Sequence, residues 1–352
     1  MIYINSRFLA QSLTGVQRFA TELSFQLKEI LGEKIKFVAP PDIIQKEIAK
    51  ELNAEIIGSH TGYFWEQVEL PQYLEKQGSP PLINFCSVAP LFYKNNIIAV
   101  HDITWVRFPE TYSKSFRLVY NFLIPRLCKR AKHLITVSEF SKNELSHYYK
   151  LPKEKITIIP NAVNSIFKPV FQENLYCEMF FLAVSSVKAN KNFPVILSSF
   201  EKLQKRIPEA KLFVIGDLKG TAFNHINLTR YEKSPNIKML GRVSDEDLIR
   251  YYSNAVAFIF PSLYEGFGIP ALEAQACGCP VISSNTSSMP EVLLDSVLYC
   301  NPTDSNAFAQ NMYNLATNSV LRQELIRKGF DNVQRFSWKT SAEKICSDIL
   351  MH

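Results

Sequence analysis

Two carboxylates, Glu265 and Glu273, bracket a glycine-rich turn within residues 261–283, PSLYEGFGIPALEAQACGCPVIS. Gly266 and Gly268 let the backbone approach another group closely, and Pro270 suits the first position of a helix, where its missing N–H has no helical partner. A strand, a turn and a helix N-terminus in that order present free N–H groups and a positive dipole end, the arrangement that receives anions in α/β sheets. Glu273 lies one turn inside the helix. Helical side chains lean back toward the N-terminus, so its carboxylate can accept from both hydroxyls of a diol held there. The bland alternative is a buried strand–helix unit with an acid-favoured first turn, and spacing alone leaves both open. Lys191, in VKANKN between an expected strand and helix, can offer a point charge to a diphosphate or serve as an ordinary surface lysine. His101-Asp102 follows the apolar run 97–100, at the strand end where α/β enzymes place functional groups. A lone histidine there is also a common structural residue.

These residues need strands and helices to hold them. Ahead of the turn, AVAFIF (255–260) reads as a strand buried on both faces. Gly278 and Pro280 end the helix, and 281–283 begins the next strand. The chain opens with a strand at 2–4, a turn at 13–15 and a helix over 16–31, then strand, helix and strand across 35–57. Strands are expected at 97–100, 134–137, 156–160, 180–186, 211–216 and 236–243. Residues 305–330 carry a helical pattern, and 336–350 form a last helix. This alternation predicts an α/β chain with a Rossmann-like domain in each half.

At 352 residues the chain exceeds one comfortable core. The composition, 47% hydrophobic and 20% charged, is that of an ordinary globular protein. Seven scattered cysteines and no recognisable signal segment predict a reducing, cytoplasmic setting. No apolar run of membrane-spanning length is present. Net charge is +6, of which +5 falls in residues 1–165, with 20 basic and 15 acidic side chains. That excess favours an anionic surface or substrate on the N-terminal half, and no nucleic-acid partner is expected. Residues 112–133 hold six basic side chains and no acid, interleaved with Tyr112, Phe116, Tyr120 and Phe122. They read either as a peripheral membrane contact or as a solvated helix face. Ser244-Asp245-Glu246-Asp247 contains Asp-x-Asp, but Ser244 with Asp247 three residues on reads as a helix start, and no metal site is expected.

The string Glu265-Gly266-Phe267-Gly268-Ile269-Pro270-Ala271-Leu272-Glu273 resembles the signature of the retaining glycosyltransferases of family 4, which have the GT-B fold. TGVQRFATEL, YFWEQVELP and AKHLITVSEFSKNEL resemble further family segments, the second in a mannosyltransferase-like branch. The resemblance implies two Rossmann-like domains facing a cleft, at 1–168 and 169–336, with the last helix (337–352) returning to the first. It implies that Glu273 holds the nucleotide ribose and that Glu265, Gly266, Phe267, Gly268 and Ile269 meet the donor sugar. Gly15 would lie beside the donor phosphates, Ser186 would bind the donor, and Arg242-Val243 would frame the base. Lys191 would neutralise the diphosphate. His101 and Asp102 would touch donor sugar or acceptor. Trp65 and Gln67 would shape an acceptor groove, with core packing open for both. Asn190 stands where the family commonly has Arg.

These features imply a cytoplasmic, metal-independent transferase. It would use a nucleotide-diphosphate sugar, GDP-mannose first, and a saccharide or lipid-linked saccharide acceptor, with no resident cofactor. The rival is a non-catalytic nucleotide-sugar-binding scaffold of the same fold, for which Asn190 is the supporting feature.

Overall fold

The computed structural model describes residues 1–170, 178–184, 188–216, 231 and 234–350. The chain forms two compact units: Met1–Ile103, Ser113–Asn161 and Ser337–His352 make the first, and Thr104–Tyr112 and Ala162–Phe336 the second. The division after Asn161 precedes the expected one at 168, and Thr104–Tyr112 groups with the second unit.

The first unit is built on a seven-stranded sheet of order β3-β2-β1-β4-β5-β6-β7. Its strands are β1 (Ile2–Asn5), β2 (Ile35–Ala39), β3 (Glu55–Ile56), β4 (Leu82–Asn84), β5 (Asn96–Ala99), β6 (His133–Thr136) and β7 (Ile156–Ile158). All pairings are parallel. Helices cover both faces of such a sheet, so its central strands are buried throughout, as in β4 and β5, where the only polar residues among the described ones are Asn84 and Asn96 at the strand ends. The order reverses between β1 and β4. Neighbouring connections there leave in opposite directions and open a crevice beyond the strands' carboxyl ends. The helix α1 (Gly15–Leu31) follows β1, burying Phe19, Leu23 and Leu27. The last regular helix, Trp338–Ile345, sets the Trp338 ring 5.8 Å from Phe19, and the Ser341 hydroxyl donates to Pro160 O at 2.8 Å.

The second unit carries a six-stranded parallel sheet of order β10-β9-β8-β11-β12-β13. Its strands are β8 (Phe180–Val184), β9 (Lys211–Ile215), β10 (Ile237–Gly241), β11 (Phe258–Phe260), β12 (Val281–Ser284) and β13 (Leu298–Cys300). Its order reverses between β8 and β11. Phe181, Phe193, Phe200, Leu212, Ile259 and Met312 belong to its buried core.

Two elements differ from expectation. The run 255–260 yields a strand only from Phe258, because the Ala255 N–H closes the preceding helix, Asp245–Asn254, on Tyr251 O. The pattern 305–330 is two helices, Ser305–Thr317 and Ser319–Val333, parted at Asn318. That residue is extended, and its side chain accepts from Leu321 N and caps the second helix.

Trp65 is a correction: it lines no groove. It is fully buried among Tyr3, Val38, Leu70 and Leu82, with its indole N–H donating to Ile57 O at 2.7 Å. Gln67 is likewise engaged in structure. Its amide donates to Ala89 O at 2.8 Å and accepts from Leu91 N at 2.9 Å, fastening the loop between β4 and β5. Trp65→Ala is therefore expected to destabilise the protein by about 3–5 kcal/mol in urea unfolding. Trp65→Phe should cost less and leave acceptor KM unchanged in transfer assays, whereas a groove residue would raise that KM.

Candidate active site

The reversal point of the second sheet gathers the residues with the most chemistry. Beyond β8 the chain runs through Lys188 into a short turn, Ala189–Lys191. Beyond β11 it enters the turn of residues 261–268. Lys191 Nζ lies 2.5 Å from Glu265 Oε1, an ion pair with both side chains largely shielded from water. Removing one partner from a shielded pair leaves an uncompensated charge, so each group holds the other in position.

The surrounding hydrogen bonds are polar contacts between loops. Asn190 is buried; its side-chain Nδ2 donates to Tyr264 O at 3.0 Å and its main-chain carbonyl accepts from Leu263 N at 2.7 Å. Asn192 Nδ2 donates to Pro261 O and Pro302 O. Asn190 thus clamps the Lys191 turn against the Glu265 turn. On the far side the Glu265 N–H donates to Ser287 Oγ at 3.1 Å, and Ser288 Oγ donates to Glu265 O at 2.9 Å. The Ser284 and Thr286 hydroxyls donate to Ser262 O. The family resemblance marks Ser287-Ser288 as small residues beside the phosphates; their hold on the Glu265 backbone is what the structure adds. The density of small hydroxyl residues in SSNTSS was the available signal.

Gly268 precedes the helix Ile269–Ala276 with φ +95°, and a Cβ there would sit 2.5 Å from Met289 Cε and 3.4 Å from the Phe260 ring. Only glycine adopts that backbone without strain. The helix has no side-chain cap; Pro270 carries no N–H and the Ala271 N–H donates to Gly268 O, so the helix turns its positive dipole end toward the turn. Glu273 is buried within it. The Phe267 ring packs 5.3 Å from Phe336 inside the unit. Arg242 and Val243 follow β10, where Gly241 O accepts from Gly216 N. Ser186 lies outside the described residues. Ser244 caps the helix Asp245–Asn254 by accepting from Asp247 N at 3.1 Å, and Asp247 pairs with Arg250. Among the described residues no group of three or more His, Cys, Asp and Glu side chains is placed to share a metal ion.

In the first unit, His101 lies just past β5. Its Nε2–H donates to Phe85 O at 2.8 Å, and its ring meets Phe19 edge-on at 4.7 Å. That bond places the neutral ring's basic lone pair on Nδ1. Burial lowers the His101 pKa, against the opposing pull of Phe85 O and the Asp102 charge. Gly15 is exposed at the start of α1. Lys191, Glu265, Glu273 and Gly268 thus share one unit, while His101, Asp102, Gly15, Trp65 and Gln67 belong to the other.

Two family models match the chain: "Glycosyltransferase Family 4" over residues 13–165 and "Glycosyl transferases group 1" over residues 171–331. The O-antigen chain mannosyltransferase RfbU of Salmonella typhimurium is 31% identical over 256 residues, 71% of this chain and 70% of that protein. The chain belongs to glycosyltransferase family 4. The O-antigen chain mannosyltransferase B of Escherichia coli is 28% identical over 254 residues, 69% of this chain and 67% of the relative. Among solved structures, Anabaena HepE in complex with UDP and glucose aligns with a TM-score of 0.74 at 15% identity, covering 100% of this chain and 99% of that one. WaaG, a glycosyltransferase involved in lipopolysaccharide biosynthesis, aligns with a TM-score of 0.71 at 16% identity, covering 99% and 98%. These neighbours share the GT-B fold of two Rossmann-like domains, and this family 4 member is a glycosyltransferase.

Because the folded-state pKa of His101 lies below the unfolded value, the unfolded chain binds more protons as pH falls below about 6.5. The stability that neutral His101 contributes is complete above that pH and is lost as pH drops toward the folded value. His133, also lowered by burial, acts in the same direction. His101→Asn should therefore make the fall in melting temperature between pH 6.5 and 4.5 shallower, with part of the slope retained through His133. An unchanged slope would contradict a partly buried neutral imidazole.

Proposed function

We propose that this glycosyltransferase moves a hexose, with retention and without a metal ion, from a nucleotide-diphosphate sugar to a saccharide acceptor. GDP-mannose is the first donor to test. The acceptor side falls to the first domain and the nucleotide to the second. The observation that carries this reading is the Lys191–Glu265 pair at the reversal point of β8 and β11, next to the uncapped helix behind Gly268. An arriving diphosphate competes with Glu265 for the Lys191 ammonium and meets the positive dipole end of the helix as well. Glu265, so released, can accept from hydroxyls of the donor sugar, while Glu273 accepts from the ribose diol.

In the reaction, the bond from the anomeric carbon to the diphosphate oxygen breaks and a bond to the acceptor oxygen forms on the same face. The acceptor proton passes to the departing diphosphate oxygen. Lys191 and the helix N-terminus balance the charge that develops on that group, the type of preorganised stabilisation that dominates many enzymes. His101, neutral and with Nδ1 as its acceptor atom, offers a hydrogen-bond acceptor to a sugar hydroxyl.

Two further observations support a lipid-linked acceptor for surface polysaccharide, met at the cytoplasmic face of the membrane. Both matched relatives carry names of O-antigen mannosyltransferases. The helix Lys114–Arg130 buries Ile124, Leu127 and Cys128 and turns Leu118, 75% exposed, and Phe122, 52% exposed, outward. Arg126 lies 3.8 Å over the Phe122 ring, and Arg130 covers Phe92, itself 76% exposed. Apolar rings beneath arginines suit the interface of an anionic bilayer. Among the described residues no helix is long and apolar enough to cross a membrane.

The scaffold alternative rested on Asn190. That residue performs the clamping described above, so its presence is compatible with an intact site. A donor panel decides. With EDTA present, one nucleotide sugar should release diphosphate, and product NMR should show the donor's anomeric configuration. Lys191→Ala should slow turnover by about 100- to 1,000-fold, and Glu273→Ala should weaken nucleotide binding. Phe122→Asp should reduce sedimentation with anionic vesicles. A requirement for added metal, an inverted product or binding without turnover would each refute the corresponding part.

A further inference from the structure

The first sheet has its own reversal point, and polar groups fill it. The register Tyr3↔Leu82 and Ile4↔Ile83 brings Asn5, ending β1, beside Asn84, ending β4. Asn5 Nδ2 donates to Asn84 Oδ1 and to Glu66 Oε1, both at 2.9 Å, and Asn5 Oδ1 accepts from Arg7 N at 3.2 Å. Arg7 NH1 lies 2.9 Å from Glu66 Oε2. The Glu66 side chain is 2% exposed and that of Arg7 18% exposed. Arg7 Cζ also lies 4.8 Å from the centre of the Tyr63 ring, and that residue is exposed.

Three features argue that this pair does more than hold the fold. A buried ion pair is a weak device for stability, since apolar side chains of equal volume often serve as well or better. Its location is the crevice beyond the carboxyl ends of β1 and β4, where open α/β sheets take ligands. Glu66 sits in a π-helical turn, Trp65–Glu69, and such turns concentrate at functional sites. The turn sends Trp65 into the core while keeping Glu66 on Arg7.

The chemistry narrows the ligand. Glu66 already balances the Arg7 charge, so the pair is close to neutral and suits a neutral polyol better than a phosphate. Arginine carries five N–H donors, of which Glu66 uses one through NH1. The remaining donors and the Tyr63 ring make a polar edge beside an apolar plate, the mixture by which pockets orient small ligands. We propose that Arg7 binds hydroxyl groups of the saccharide acceptor beside Tyr63, with Glu66 as the residue that positions it. This rests on the reading of the first domain as the acceptor side.

The test uses the full chain and the donor identified by hydrolysis, with methyl glycosides of mannose, glucose, galactose and rhamnose as probe acceptors. Glycoside binding is read by saturation-transfer NMR and transfer by product formation. The wild-type protein should contact at least one glycoside. Arg7→Ala should lower acceptor kcat/KM at least tenfold while donor hydrolysis and nucleotide Kd stay within twofold. Arg7→Lys, which cannot fork, should restore little. Glu66→Gln should lower the melting temperature, because Arg7 loses its counter-charge, and in the folded enzyme it should raise acceptor KM several-fold with kcat near wild type. The proposal is overturned if Arg7→Ala only lowers the melting temperature, if no glycoside is contacted, or if inorganic phosphate displaces every bound glycoside. A wild-type protein that neither binds nor hydrolyses any nucleotide sugar refutes the transferase reading itself. Normal transfer by Arg7→Ala refutes the subsite alone.

Discussion

A lysine and a glutamate 74 positions apart in the chain meet at 2.5 Å where the order of the second sheet reverses. Every nearby feature serves that meeting. Parallel strands bring β8 and β11 side by side, so the turns that follow them must share the space beyond their ends. Asn190 ties one turn to the other, and Ser287 and Ser288 hold the Glu265 backbone from the opposite side. Gly268 lets the chain enter its helix with no side chain in the way. A shielded pair of this kind is costly to break and modest in net stability. In the mechanism proposed above, it exchanges one partner for a diphosphate.

The two units apply one construction rule to different charges. Each is a parallel sheet whose order reverses beside its first strand, and each reversal point holds an ion pair, Arg7–Glu66 in one and Lys191–Glu265 in the other. A lysine ammonium is a compact point charge suited to a diphosphate, whereas an arginine fork already paired with a carboxylate suits directional hydrogen bonding. The different cations fit the different ligands proposed for the two domains.

Much of this was legible in the chain, unevenly. The alternation of apolar runs with helical stretches was enough for two parallel-sheet units, and the glycine-rich turn with Glu265 and Glu273 marked the second reversal point. Lys191 and Glu265 were each readable, but their contact was not, since spacing along a chain carries no record of which strands become neighbours. β4 and β13 have three residues each, too short to show a period. YFWEQVELP was read for its aromatic and amide side chains, and the outcome reversed that emphasis. Trp65 and Gln67 are structural, while Glu66 pairs with Arg7. A glutamate between Trp65 and Gln67 in a largely apolar stretch needs a cation if buried, and that was the signal available.

The exchange at Lys191 can be measured directly by calorimetric titration of GDP and UDP, in EDTA, into wild type, Glu265→Gln and Lys191→Gln. If the pair is held ready for a diphosphate, neutralising Glu265 frees the ammonium, and Glu265→Gln binds the preferred nucleotide more tightly than wild type. Lys191→Gln binds it more weakly, and the double variant follows Lys191→Gln. Equal weakening in both single variants, with melting temperatures lowered together, would mean that the pair only fastens two loops, and it would contradict the account at its centre.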